Sequence, residues 1–118
     1  MTATGLLIVH TSPADGADEE EFNRWYDEVH APEIVERGAA VRFRRYRASG
    51  VPLLPGAPEP GAYVCVYEIE ATTVADVEAI TRRLQETRHL SRGVSPTLDT
   101  GSVQAGFYLP LVPQEGTR

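Results

Sequence analysis

Four strand-like segments alternate with two amphipathic helical segments, and this order constrains the fold more than any other feature of the chain. Period-two alternation or short β-branched apolar runs predict strands over residues 5–11, 40–48, 62–70 and 101–111. Asp18 and Thr73 are each followed three residues later by an acidic residue, a pattern that predicts a capped helix start. We therefore expect an α+β domain of order β-α-β-β-α-β, in which a four-stranded antiparallel sheet carries both helices on one face.

The size and charge of the chain exclude several classes of function. The chain has 118 residues, of which 42% are hydrophobic, so we expect one domain with a genuine core over residues 1–118 and a frayed tail over residues 113–118. A net charge of -6 disfavours nucleic-acid partners. No apolar run approaches a membrane span or a signal peptide, and Cys65 has no partner for a disulfide. These features predict a cytoplasmic protein with no membrane partner, in which Cys65 is a small buried hydrophobe.

The first helical segment carries an apolar face and ends near a proline. Apolar residues recur at spacings of three and four, and they are Phe22, Trp25, Tyr26 and Val29. Pro32 lacks an amide hydrogen and disfavours helical angles in the preceding residue. We therefore expect the helix to kink, or to stop and restart, before residues 33–37 and to end at Gly38, with His30 at the break. The second helix is expected to run to about Leu90.

The segment EFNRWYDEVHAPE over residues 21–33 resembles the EthD-like branch of the dimeric α+β barrel superfamily. It follows the apolar strand GLLIVHT and is accompanied by the pair Arg45-Tyr46 in the second strand. The residues that match the helix motif of this family are Phe22, Tyr26, His30 and Pro32. The resemblance implies a ferredoxin-like protomer, dimerisation through the sheets and a hydrophobic cavity between sheet and helices. Members of the family include cofactor-free monooxygenases, polyketide cyclases, lactone isomerases and proteins of no known activity, so the family indicates a fold more closely than a reaction.

The distribution of apolar residues also predicts a homodimer. The first, third and fourth strands carry apolar side chains on both faces, and a chain this short has no further element to cover the second face. We expect two copies to pack through their sheets.

His30 is the first candidate for catalysis. Tyr26, Glu33 and Asn23 lie four, three and seven positions away, which places them on one helical side up to the proline. A histidine beside a carboxylate and a phenol can exchange a proton near neutral pH, as the enolisation or cyclisation of a carbonyl compound requires. We assign His30, Tyr26 and Glu33 to catalysis. The alternative is that His30 only caps carbonyl groups left free before Pro32.

Several phenols could form the wall of a substrate pocket if their strand faces coincide. Tyr63 and Tyr67 share one face of the third strand, while Tyr46 and Tyr108 lie on the second and fourth strands. Phenols stack and donate hydrogen bonds, which suits a flat oxygenated substrate. The residues assigned to substrate binding are Trp25, Tyr46, Tyr63, Tyr67 and Asn23. The alternative is that these aromatic side chains only fill the core or the dimer interface.

The second strand is unusually basic, with Arg42 and Arg44 on one side and Arg45 and Arg47 on the other. Glu68 and Glu70 could pair with them as a cross-strand ladder, and one arginine could instead bind a carboxylate.

The three histidines have no metal-ligand spacing, and no glycine-rich phosphate loop follows a strand. We expect neither a metal nor a cofactor.

Three functions fit this pattern. The first is a cofactor-independent enzyme that cyclises, isomerises or decarboxylates a hydrophobic oxygenated, polyketide-like or aromatic metabolite by acid-base chemistry. The second is a cofactor-free monooxygenase acting on an electron-rich phenol or anthrone. The third is a ligand-binding or stability-related dimer without catalysis. The proline-rich loop over residues 49–61 is a possible cover for the site.

Overall fold

The computed structural model describes residues 5–111. Its strands are β1 (Gly5–Thr11), β2 (Arg42–Arg47), β3 (Tyr63–Ile69) and β4 (Gln104–Tyr108). Its α-helices are α1 (Glu19–Trp25), α2 (Ala31–Glu36) and α3 (Val74–Glu86), and a π-helical turn over Tyr26–His30 joins α1 to α2. Short 3₁₀ turns follow at Arg88–Leu90 and Thr100–Ser102.

The strands form one antiparallel sheet in the order β2-β3-β1-β4, with β2 and β4 at the edges. The predicted α+β class and four-stranded antiparallel sheet are confirmed, and the strand order is compatible with a ferredoxin-like protomer. In the register, Leu7 lies between Tyr67 and Phe107, while Phe43 pairs with Tyr67. These residues therefore share one face of the sheet.

The core lies between that face and the helices. Phe22, Tyr26 and Ala31 are buried from the helical side. The buried residues of the strands that meet them are Leu7, Cys65, Tyr67 and Ile69. Cys65 is buried, as predicted from its place among apolar neighbours.

The backbone keeps helical angles at His30 and Ala31, so of the two outcomes expected at Pro32, a kink or a stop and restart, the stop does not occur and the helix is instead distorted ahead of the proline. The amide of Ala31 donates to the carbonyl of Tyr26, five residues back, which widens the turn ahead of the proline. Pro32 then lies in the first turn of α2, and the widened turn ahead of it accommodates a residue without an amide hydrogen. The end at Gly38 is confirmed: Gly38 has φ +83° and its amide donates to the Val35 carbonyl at 2.9 Å.

Two elements are shorter than the sequence pattern predicts. The last helix ends at Glu86 rather than near Leu90, because Thr87 Oγ1 donates to the Arg83 carbonyl at 2.7 Å and Arg37 Nη2 donates to the Leu84 carbonyl at 2.6 Å. The last strand covers only residues 104–108 of the predicted 101–111, since Asp99 accepts the Gly101 amide at 3.0 Å in a 3₁₀ turn. The predicted tail over residues 113–118 lies outside the described residues.

The loop between β2 and β3 has no helix or strand, as its prolines and glycines predict. Its residues 49–60 are all exposed. Within residues 5–111, no helix combines the length and apolar character needed to cross a membrane.

Candidate functional site

His30 lies at the end of the π-helical turn, in contact with two aromatic rings. Its imidazole stacks on Trp25 with centroids 4.8 Å apart and planes inclined by 20°. The edge of the same ring meets Tyr26 at 4.9 Å and 86°. Among the described residues we find no hydrogen bond to the imidazole, so its nitrogens do not cap the neighbouring backbone. The ring is held in position by stacking and is half-buried.

The surroundings of His30 favour its neutral form. Burial lowers the pKa of His30 below its usual 6.5, and the charges of Arg37 and Arg45 lower the pKa further. The carboxylate of Glu33 opposes this shift and does not reverse it. At neutral pH His30 is therefore an uncharged imidazole, the form that accepts a proton.

Tyr26 is buried beside His30 and contacts the core on its other side. Its ring meets Phe22 edge-on at 5.8 Å. Burial raises the pKa of Tyr26 to about 12, so this phenol keeps its proton at neutral pH. It can therefore orient His30 through ring contact, and it does not act as a base.

Tyr67 lies deeper, in the middle of the core. Its side chain is buried and its hydroxyl has no hydrogen-bond partner in the described part of the chain. Burial raises the pKa of Tyr67 well above its ordinary value. The Tyr26 phenol and the Cys65 thiol lie beside this hydroxyl and contribute to the raised pKa.

Glu33 is buried in a network that joins α2 to the end of α3. One carboxylate oxygen accepts from Arg37 Nη1 at 3.3 Å, and the other accepts the backbone amide of Arg92 at 2.7 Å. Arg37 in turn donates through Nε to Thr87 Oγ1 at 3.0 Å. Glu33 makes no hydrogen bond to His30 among residues 5–111, so it acts on the imidazole through its charge alone.

Asn23 and Tyr63 connect α1 to β3, as their joint assignment to one site requires. Asn23 Nδ2 donates to Tyr63 Oη at 3.2 Å, and Tyr63 Oη donates to a carboxylate oxygen of Glu19 at 2.9 Å. Both side chains are partly exposed.

The four strand tyrosines do not share one face of the sheet, so the condition for a common pocket wall is not met. The register places Tyr63 and Tyr67 on the helix-covered face, and it places Tyr46 and Tyr108 on the opposite face. Tyr46 and Tyr108 are about half exposed there.

The basic strand divides between two kinds of ion pair. Arg42 pairs with Glu68 across the strands at 2.6 Å, which confirms one rung of the predicted ladder. Arg45 lies on the helix-covered face, opposite Cys65, and pairs instead with Asp27 at 3.0 Å. Glu70 is exposed and forms no ion pair within the described residues.

Arg45 is a functional candidate that the sequence did not single out, although one arginine of this strand was considered for binding a carboxylate. Its guanidinium carbon lies 4.3 Å from the centroid of the Tyr26 ring, 5.2 Å from that of Tyr63 and 5.6 Å from that of Phe22. Nε and Nη2 of this guanidinium are buried, and they have no hydrogen-bond partner among residues 5–111. The available signal was its position in the alternation, since Arg45 follows Phe43 by two residues and must share its face.

A cleft of about 440 Å³, open to solvent, lies between α1 and the edge strand β2. Its lining comprises Asn23, Asp27, Phe43, Tyr63 and the four residues Arg44–Arg47. Two residues assigned to substrate binding, Asn23 and Tyr63, therefore meet at this cleft, while Tyr46 borders it with its side chain on the opposite face of the sheet. His30, Tyr26 and Trp25 form a neighbouring aromatic cluster, and Arg45 belongs to both because it lines the cleft and contacts the Tyr26 ring. The loop over residues 49–61 does not contribute to this lining.

Histidine, cysteine, aspartate and glutamate side chains do not gather in groups of three or more that could hold a metal ion anywhere in residues 5–111. No family model, curated protein or solved structure matches the chain.

Proposed function

We propose that the protein is a cofactor-independent enzyme that moves protons on a hydrophobic oxygenated, polyketide-like or aromatic metabolite. The observation that carries the proposal is the His30 imidazole, which is kept neutral by burial, held by two aromatic rings and free of hydrogen bonds to the described residues. A neutral imidazole whose nitrogens make no hydrogen bond to residues 5–111 is available to take a proton from a carbon next to a carbonyl group. Cyclisation and isomerisation both begin with that step, and decarboxylation ends with the reverse one.

The neighbours of His30 supply the remaining roles. Tyr26 orients the imidazole through its ring edge, and Trp25 forms the stacked wall behind it. The charge of Glu33 steadies the protonated imidazole once the proton has moved. The charge of Arg45, which also reaches His30, favours a developing enolate on the cleft side. Asn23 and Tyr63 contact the substrate along the cleft, and Tyr67 lies in the core on the same strand as Tyr63.

We test this function by the exchange of deuterium from D2O into 2-tetralone, an apolar aromatic ketone, followed by NMR. His30 acts as a base only when uncharged, and its pKa lies below 6.5. We therefore expect the protein-dependent rate to be constant above about pH 7 and to fall about tenfold per pH unit well below the pKa of His30. Exchange no faster than that of free imidazole at the same concentration would contradict the proposal. Oxygen consumption on addition of a phenol or anthrone would indicate the monooxygenase function instead.

We also propose a ferredoxin-like protomer of the EthD-like type that pairs through its sheet. The face turned away from the helices carries Leu6, Ile8, Val64 and Val66, flanked by Tyr46 and Tyr108. Leu6 is 36% exposed and the two tyrosines are 50% and 56% exposed, and such a patch is rarely left open to water. Light scattering should give the mass of two chains, and Val66→Lys should give the mass of one. A monomer at micromolar concentration would disprove the pairing.

A further inference from the structure

The free donors of Arg45 form a fork that nothing in the described chain fills. Asp27 engages Nη1 only, and Nε and Nη2 have no partner in the part of the chain that the structure describes. These two donors lie on one edge of the guanidinium plane, and that edge matches the two oxygens of a carboxylate. The side chain is only 10% exposed, so water does not compensate for the missing bonds.

The composition of the cleft indicates the rest of the ligand. Three arginines and one aspartate line it, so the cleft carries a net positive charge and attracts an anion. Two aromatic residues of the helix-covered face line it as well, Phe43 and Tyr63. A volume of about 440 Å³ is within the range of small-molecule sites. A flat ring bearing an acid group satisfies both the arginines and the rings.

The ion pair with Asp27 suggests how a ligand can reach the buried Nε and Nη2 donors of Arg45. Its side chain is 54% exposed and it holds Arg45 by a single bond of 3.0 Å at the mouth of the cleft. An incoming carboxylate competes with Asp27 for the guanidinium. When Asp27 releases Nη1, the flexible side chain of Arg45 can turn its Nε and Nη2 edge from the aromatic rings toward the cleft.

We propose that the cleft between α1 and β2 binds an aromatic carboxylate, whose two oxygens take Nε and Nη2 of Arg45 while Asp27 is displaced. This inference rests on the proposed function in one respect, since it identifies the substrate as an aromatic acid. A guanidinium that stabilises the carboxylate disfavours loss of carbon dioxide from it, so the bound acid favours cyclisation or isomerisation over decarboxylation.

The test is a binding measurement by calorimetry without turnover, with 2-naphthoate and its neutral counterpart 2-naphthamide as probes. We expect the unaltered protein to bind 2-naphthoate at least about tenfold more tightly than 2-naphthamide. Arg45→Lys, which keeps the charge and loses the fork, should weaken 2-naphthoate binding about tenfold. Asp27→Asn, which removes the competing carboxylate, should tighten it several-fold. Arg42→Lys, on the opposite face of the same strand, is the matched control and should leave the affinity unchanged.

Equal affinity of the unaltered protein for the acid and the amide would overturn the inference. This comparison needs no variant, so the inference can still be tested if Arg45→Lys does not fold. Unchanged affinity in folded Arg45→Lys, or weaker binding in Asp27→Asn, would overturn it equally. Because 2-tetralone has no carboxylate, its exchange by His30 would persist if the cleft binds no acid. Conversely, 2-naphthoate would still bind if His30 is not a base.

Discussion

Replacement of His30 by glutamine is expected to slow protein-dependent deuterium exchange into 2-tetralone by about 100-fold to 10,000-fold, the usual contribution of a general base. Glutamine keeps a planar polar group of similar reach, so the stacking position against Trp25 stays filled. It has no nitrogen that accepts a proton near neutral pH. The measurement is the initial exchange rate at pH 7.5, where the unaltered imidazole is neutral because burial lowers its pKa.

The matched control is His89→Gln, the same change at an exposed histidine in the 3₁₀ turn after α3. We expect this variant to exchange at the rate of the unaltered protein. Thermal unfolding of both variants separates a loss of chemistry from a loss of fold. If His30→Gln is folded and loses less than about threefold in rate, His30 serves packing only, and the protein is better described as a binding or stability-related dimer.

The features predicted from sequence are those that depend on local periodicity. Period-two alternation placed Tyr63, Cys65 and Tyr67 on one face of β3, and the register confirms it. The capping box at Thr73 and Asp76 is present, with the Asp76 amide donating to Thr73 Oγ1 at 3.2 Å. These interactions join residues close in the chain, so a short window of sequence contains all the information that they require.

The features not predicted depend on contacts between distant residues. The Arg92 amide that occupies Glu33 lies 59 positions away, and the Asp27 that pairs with Arg45 lies 18 positions away on another element. Periodicity predicts which face of its strand or helix a side chain occupies. It does not predict which residues of another element pack against that face. The same limit explains the π-helical turn, since a proline pattern cannot distinguish a break from a widened turn that keeps the rod continuous.

The candidate site illustrates how these two kinds of information combine. Asn23 and Tyr63 were assigned together from separate elements, and their side chains meet at 3.2 Å. Arg45 was considered with its neighbours for a cross-strand ladder with Glu68 and Glu70, because the sequence places four arginines in one strand. In the structure Arg45 packs against the aromatic rings of the helix-covered face. These rings bury its guanidinium, which the sequence alone would place at the surface. The chemical character of this residue is therefore a property of the packing.

Replacement of Glu33 by alanine is expected to lower the free energy of unfolding by about 3–5 kcal/mol, the usual effect of removing one partner of a buried ion pair. Side-chain exposures of 4% for Glu33 and 10% for Arg37 leave the remaining guanidinium charge without solvent. The Arg92 amide loses its acceptor at the same time. Urea denaturation measures the loss, and the matched control is Glu36→Ala on the same helix, whose ion pair with Arg92 is largely exposed. We expect this control to change stability by about 0–1 kcal/mol.

Glu33→Gln distinguishes a stabilising role for this carboxylate from a catalytic one. The amide keeps the volume and can still accept the Arg92 backbone amide, but it removes the charge that faces Arg37. If Glu33 mainly stabilises the junction of α2 and α3, the variant loses stability, and its folded fraction exchanges deuterium into 2-tetralone within a few-fold of the unaltered rate. A variant of unchanged stability with a rate lowered 100-fold would instead place Glu33 beside His30 in the catalytic group. That result would mean that folding does not need the buried ion pair. It would contradict the loss of stability expected when the Arg37 guanidinium is left buried without a counter-charge.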